Sequence, residues 1–204
     1  MISIDTIIFD LGAVLVDWNP RYVYKDVFIT EDAMEHFLSE VCSSHWNELQ
    51  DAGRSFAEGT QWLTNQFPQY TAEIKDYYVR WEDMLKGSIL DTVNIFKELK
   101  GSGNYKIYAL TNWSAESFPI AMDRFDFFHW FDGILVSGQE NLKKPDPAIY
   151  ELLFSRYGID RSKAIFIDDN MANVVSAEQL GLRSIHFKNG DLLATELRNL
   201  GVLN

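Results

Sequence analysis

Several polar side chains in this sequence stand at the ends of apolar runs, where a buried strand delivers them to one edge of a sheet. Asp10 closes "TIIFD", Thr111 and Asn112 follow "KIYAL", and Asp168 and Asp169 close "AIFIDD". Lys144 stands directly before Pro145 in "KKPDPAIY". A carboxylate can act as nucleophile or base, and an ammonium can offset developing negative charge. Two adjacent carboxylates at a buried strand end repel each other, which is costly without a cation. Any one of these groups is weak evidence, since a carboxylate at a strand end is often a turn cap. Their coincidence points to a site, because ligands of open α/β sheets bind beyond the carboxyl ends of the strands. Gly12, two residues after Asp10, is a blank where a second acid would have had a use.

The elements that must position these groups are legible as short apolar runs. They are Thr6–Asp10, Lys106–Thr111, Gly133–Ser137, Ala164–Asp169 and Arg183–Phe187. Their near-continuous apolar character suits parallel strands covered on both faces. Helical patterns separate the later strands. "SILDTVNIFKELKG" places Ile89, Val93, Phe96 and Leu99 on one face, with Ser88 as the expected N-cap and Gly101 as the expected stop. "PDPAIYELLFSRYG" offers Asp146 as N-cap, Pro147 at the first helical position and Gly158 as stop. "NMANVVSAEQLG" ends at Gly181 in the same way. Strand–helix alternation over this length predicts an α/β, doubly wound parallel sheet.

The interval between the first two strands is too long for a simple crossover, which needs only about a dozen residues. From Asp17 to about Gly87 the chain reads as helical and rich in Trp, Tyr and Phe, and "SFAE" (Ser55–Glu58) is a capping box inside it. The expected organisation is a core of residues 1–16 and 88–204 with an α-helical cap inserted at 17–87, returning near Lys86–Ser88. The aromatics of the insertion can pack inward or form an interface, so oligomeric state stays open.

Bulk properties narrow the function classes. The chain has 204 residues, 47% hydrophobic and 24% charged, with a formal net charge of −12. An acidic balance of that size argues against nucleic acid and anionic membranes as partners. A small anionic substrate is still admissible, because a metal ion and one lysine reverse the sign locally. Cys42 is the only cysteine, so no intramolecular disulfide can form and a reducing compartment is expected. No apolar stretch is long enough to span a bilayer. Asp5 and Asp10 interrupt the first apolar run and no basic residue precedes it, unlike a signal peptide. The expected location is cytoplasmic.

The segments "FDLGAVL", "ALTNWS", "KKPDPAIY" and "FIDDNMANV", in that order, resemble the four motifs of the haloacid dehalogenase-like (HAD) superfamily. The resemblance spans the chain, including a helical cap after the first strand. It implies a Rossmann-type core and assigns roles residue by residue. Asp10 matches the nucleophile, which forms an aspartyl-phosphate and splits one hard displacement into two easier ones. Thr111 matches the hydroxyl that holds phosphoryl oxygens, with Asn112 beside it to orient substrate. Lys144 matches the charge-offsetting lysine, and Lys143 next to it reads as plain surface. Asp168 and Asp169 match the acidic motif that holds Mg²⁺, a hard ion that prefers oxygen ligands and bridges to phosphate. Asp169 is implied as the direct ligand and Asp168 as an indirect one, with Asp10 and the Gly12 carbonyl completing the metal set. Asn173 stands where many relatives carry another Asp, which leaves it a supporting role.

Gly12 departs from the family's phosphatase pattern, which places an Asp there to protonate the leaving group and later activate water. Such a group contributes roughly 10²–10⁴-fold. Either another group substitutes, or the leaving group needs little protonation, as in a sugar 1-phosphate or an acyl phosphate. The expected function is therefore a Mg²⁺-dependent phosphatase for a small phosphorylated metabolite. A 2-haloacid dehalogenase is the main alternative, since halide leaves without a proton, but Asp168-Asp169 favours phosphoryl transfer. A non-hydrolytic binding protein on the same scaffold is the third reading.

Among the remaining residues, Arg21 and Arg54 of the insertion are candidate anion contacts, more commonly solvated or paired. Trp18, Asn19 and Trp113 are candidate pocket residues or packing groups. His45 and His129 have no ligand cluster around them, and Cys42 reads as a small buried hydrophobe.

Overall fold

A computed structural model describes residues 4–203. The chain begins with β1 (Thr6–Phe9) and a short strand β2 (Val16–Trp18). Five α-helices follow, with short π and 3-10 turns between them: α1 (Arg21–Tyr24), α2 (Glu31–His36), α3 (Ser44–Asp51), α4 (Phe56–Gln66) and α5 (Thr71–Val79). Strand β3 (Leu85–Ser88) then leads into α6 (Leu90–Ser102), β4 (Lys106–Thr111), α7 (Phe118–Arg124) and β5 (Gly133–Val136). The remainder runs α8 (Ser137–Glu140), α9 (Pro147–Tyr157), β6 (Ala164–Asp168), α10 (Met171–Gln179), β7 (Arg183–His186) and α11 (Gly190–Asn199).

The main sheet has the order β5-β4-β1-β6-β7, and every pairing in it is parallel. The α/β doubly wound parallel sheet expected from the sequence is the one observed. All four residues of β1 are buried, and their side chains divide between two layers. Ile7 and Phe9 pack with Phe96 and Leu99 of α6 and Leu193 and Leu197 of α11. Ile8 packs with Ile149, Tyr150 and Leu153 of α9 and Ala177 of α10. The register puts Ile8 opposite Tyr108 on one side and Phe166 on the other. Two-sided coverage is why these strands show no polar alternation.

The caps of α9 match their sequence signals. Asp146 accepts from the Ala148 N–H at 2.9 Å, Pro147 opens the helix, and Gly158 closes it at φ 65°. The caps of α6 do not. Ser88 is taken up by strand pairing with Val16, so Ile89 stands at the helix start with no side-chain cap. At the other end the helix continues through Gly101, and Gly103 is the left-handed residue at φ 70°.

The ends of the insertion were expected to be helical and are instead a small antiparallel ribbon of β2 and β3, with a register shift between Asp17 and Trp18. A three-residue strand reading "VDW" carries too few positions for a periodic signal. Between β2 and β3 the helices close on a buried aromatic cluster. Tyr24 and Phe37 lie 4.9 Å apart, Trp46 meets Tyr77 edge-on at 5.2 Å, and Phe56 stacks on Tyr78 at 3.7 Å. These aromatics pack inward, tilted, edge-on or stacked against one another. Among the described residues no helix is long and apolar enough to cross a membrane.

Candidate active site

Asp10 is the first residue past β1, and its N–H donates to the Ile167 carbonyl at 2.8 Å, continuing the ladder by one step. The strand therefore fixes the backbone beneath this carboxylate. Its Oδ1 accepts from the Leu11 N–H at 2.8 Å and lies 3.0 Å from Lys144 Nζ.

Lys144 arrives from the loop between α8 and α9, before a cis bond to Pro145. Its ammonium is buried and fully engaged. It donates to Asp168 Oδ2 at 2.6 Å and to the Leu110 carbonyl at 2.8 Å, besides facing Asp10. An ammonium has three protons, and three acceptors surround this one.

Asn112 holds the lysine's backbone from both ends. Its carboxamide donates to the Lys144 carbonyl at 2.9 Å and accepts from the Lys144 N–H at 2.8 Å. The side chain expected to orient substrate is thus engaged with the lysine loop. Lys143, expected to be plain surface, reaches the inserted helices and pairs with Glu48 at 2.6 Å.

Asp168 is completely buried. Besides Lys144, it accepts from Asn173 Nδ2 at 3.0 and 3.1 Å and from the Asn170 N–H at 2.8 Å. Asn173 is the supporting residue the sequence suggested. Asp169 lies at the rim, exposed.

Asp10, Asp168 and Asp169 each offer an oxygen within 4.8 Å of the others. Three carboxylates face one ammonium, so the cluster carries excess negative charge when ionised. Burial, reinforced by Asp168 and Asp169 and opposed by Lys144, pushes the Asp10 carboxyl up to about 7. Desolvation at the rim of the crevice, followed by the Asp168 charge, raises Asp169. Lys144 is held above its ordinary value: burial pulls it down, but Asp10 and Asp168 outweigh that. An all-oxygen donor set with unbalanced negative charge fits a hard divalent cation.

Thr111 ends β4 with its side chain buried, and its hydroxyl has no partner among the described residues. Leaving a buried hydroxyl unpaired costs about 1–3 kcal/mol, which a ligand oxygen would recover. Gly12 adds no side chain, and a Cβ built there meets nothing within 4 Å.

A cleft of about 90 Å³ opens beside Gly12 and Asn112. Trp18, Phe56, Trp81 and Trp113 frame it, joined by Asn47 and Asp51 of α3. Trp18 and Trp113 therefore stand where the sequence suggested. Their indole N–H groups are buried without partners among the described residues. Asp51 escaped sequence reasoning, because "NELQDAG" looks like an ordinary solvated helix end.

The other candidates are occupied elsewhere. Arg21 forms a two-point pair with Glu35 at the surface. Arg54 donates to Gln50 and to the Trp46 carbonyl. The Asn19 side chain accepts from the Arg21 N–H at the start of α1. His45 and His129 are exposed. Cys42 is buried, and burial raises its thiol well above the ordinary range.

Comparison with known proteins places this arrangement. The family model described as haloacid dehalogenase-like hydrolase matches residues 4–181. The chain belongs to that family. It is an enzyme of the haloacid dehalogenase-like hydrolase class, with the Rossmann-like core of the group. It is 27% identical to a sesquiterpene phosphatase, astK, of Aspergillus oryzae over 95% of this chain and 94% of that one. It is 29% identical to flavin mononucleotide hydrolase 1 of Arabidopsis thaliana over 56% of this chain and 46% of that one. The fold is shared with a HAD family enzyme of Bacteroides thetaiotaomicron solved with magnesium and inorganic phosphate. The TM-score is 0.71 at 20% identity, covering 92% of this chain and 96% of that one.

Proposed function

We propose that this haloacid dehalogenase-like hydrolase is a Mg²⁺-dependent phosphatase for a small phosphorylated metabolite, working through an aspartyl-phosphate on Asp10. The observation that carries the reading is the cluster of Asp10, Lys144 and Asp168, with Asp169 at its rim and the unpartnered Thr111 hydroxyl. Asp10 attacks phosphorus as the ester P–O bond breaks, and water then cleaves the acyl phosphate. Lys144 offsets charge on the nucleophile and on the transferred group. The Thr111 hydroxyl donates to a phosphoryl oxygen without adding charge.

Asp10, Asp169, the Gly12 carbonyl and, less directly, Asp168 would hold Mg²⁺. Bound there, the ion would neutralise the acidic excess and act as a Lewis acid toward the phosphoryl group. The phosphatase named among the relatives supports the reaction class.

The aromatic frame of the cleft supports a substrate whose leaving group has an apolar or flat body. A sugar 1-phosphate, whose oxygen leaves readily, is the substrate that the bare Gly12 position favours by itself.

Gly12 also favours a second reading, a 2-haloacid dehalogenase, in which Asp10 attacks carbon and halide departs unprotonated. One screen separates the two: phosphate esters and 2-haloacids, each with and without Mg²⁺, with Asp10→Asn as control. Mg²⁺-stimulated phosphate release that disappears in Asp10→Asn supports the phosphatase. Metal-independent halide release supports the dehalogenase.

A further inference from the structure

We propose that Asp51, delivered by the inserted helices, supplies the proton-transfer carboxyl that position 12 lacks. The proposal rests on the phosphatase reading and assigns a catalytic residue within it.

The space for such a group is present and open. No atom lies within 4 Å of a Cβ built on Gly12. Gly12 does not have the left-handed backbone that favours glycine, so the conformation itself does not exclude a side chain. The cleft beside this gap is shared by Gly12 and Asp51. Asp51 lines from α3 the cleft that Gly12 leaves bare.

The fold gives a charge on Asp51 little compensation. It is the last residue of α3, where the helix dipole disfavours negative charge. No ion pair neutralises it among the described residues. The charged groups acting on it are Glu48 and Lys143, which are bonded to each other at 2.6 Å. Its carboxylate accepts from Asn47 Nδ2 at 3.3 Å and from the Ser114 N–H. Tyr77 and Tyr78 of α5 face it as neutral groups, both held well above the ordinary phenol range mainly by burial. Burial and the Glu48 charge push the Asp51 carboxyl up to about 7, so it can both give and take a proton near neutrality.

Its position is fixed against the core. The Ser137 hydroxyl donates to the Asp51 carbonyl and accepts from the Trp113 N–H at 2.9 Å. The Phe56 N–H donates to Glu116 at 2.6 Å, tying the start of α4 to the same loop. That loop follows Thr111 and Asn112, so the end of α3 is tied to the segment that leaves the candidate site.

The chemistry balances over two steps. Protonated Asp51 gives its proton to the ester oxygen as the P–O bond breaks and Asp10 takes the phosphoryl group. The resulting Asp51 carboxylate then removes a proton from the water that attacks phosphorus. Phosphate leaves, Asp10 is freed, and Asp51 is protonated again.

The test is kcat/KM for p-nitrophenyl phosphate and for a primary alkyl phosphate, with Mg²⁺, in wild type, Asp51→Asn and Gly12→Asp/Asp51→Asn. Nitrophenolate leaves without a proton; an alkoxide does not. The expected result is a loss of roughly 10²-fold or more on the alkyl ester in Asp51→Asn. The nitrophenyl ester should change several-fold at most, and the double variant should recover the alkyl rate. Equal losses on both esters, or no loss on either, overturn the proposal. Wild type alone gives a variant-free check: its rates across graded aryl phosphates should depend only weakly on leaving-group acidity, and a steep dependence overturns the assignment. Absence of any Mg²⁺-dependent turnover in wild type overturns the phosphatase reading with it, whereas wild-type turnover unaffected by Asp51→Asn overturns this assignment alone.

Discussion

Lys144 Nζ lies 2.6 Å from Asp168 Oδ2, and neither side chain is exposed to solvent. The ammonium's remaining partners are Asp10 and the Leu110 carbonyl. The pair is thus a buried ion pair with every lysine proton engaged, set directly against the proposed nucleophile.

Removing one partner of such a pair leaves an uncompensated buried charge. Lys144→Ala is therefore expected to lose about 3–5 kcal/mol of stability by chemical denaturation, along with activity. Lys144→Arg should not restore function, because a planar fork does not replace a compact point charge among three convergent oxygens. A Lys144→Ala protein of wild-type stability contradicts the ion-pair account.

Stability should also depend on pH with a definite sign. Asp10 and Asp51 each rise from 3.8 to about 7 in the folded chain, with burial the main cause. Between these values the folded state holds protons that the unfolded state has released. Their contribution to stability is present at low pH and is lost as pH rises through about 7. Asp10→Asn and Asp51→Asn should each flatten the decline between pH 4 and 7 in denaturation midpoints. Mg²⁺ should raise the wild-type midpoint more at pH 7.5 than at pH 5, because it competes with the proton on Asp10.

Asn112 touches only the backbone of Lys144 in the contacts described above. Asn112→Ala should lower kcat by roughly 10²-fold, as expected for a misplaced catalytic group. Fold stability should change far less than in Lys144→Ala. An unchanged kcat would show that the lysine loop needs no such brace.

Two glycines test the local reading of α6. Gly101 lies within the helix, and a Cβ there meets nothing within 4 Å. Gly101→Ala should stabilise by about 0.5–1 kcal/mol. Gly103 sits at φ 70°, so Gly103→Ala should destabilise by about 1–2 kcal/mol. Melting temperatures of the two variants should move in opposite directions.

This pair also shows how far sequence reasoning reached. The five parallel strands were legible because burial on both faces writes an unbroken apolar run. Asp10, Thr111, Lys144 and Asp168 were legible because they punctuate those runs or border a proline. Gly101 reads as the stop because local pattern does not reveal one further half-turn of helix. Ser88 was misread as a cap because a pairing with Val16, distant in sequence, claimed it. Asn112 reads in sequence as a group that orients substrate, and its bonds to the Lys144 backbone depend on a loop 32 residues away. Asp51 was invisible for a deeper reason: only tertiary packing brings a helix end of the insertion beside Gly12.

The central claim is that Asp10 carries the phosphoryl group. Its most direct test is acid-quenched mass spectrometry of the enzyme turning over a phosphate ester with Mg²⁺. The account predicts a phosphoryl adduct on the peptide containing Asp10, absent from Asp10→Asn. Steady phosphate release by Asp10→Asn, or an adduct confined to another residue, would contradict it.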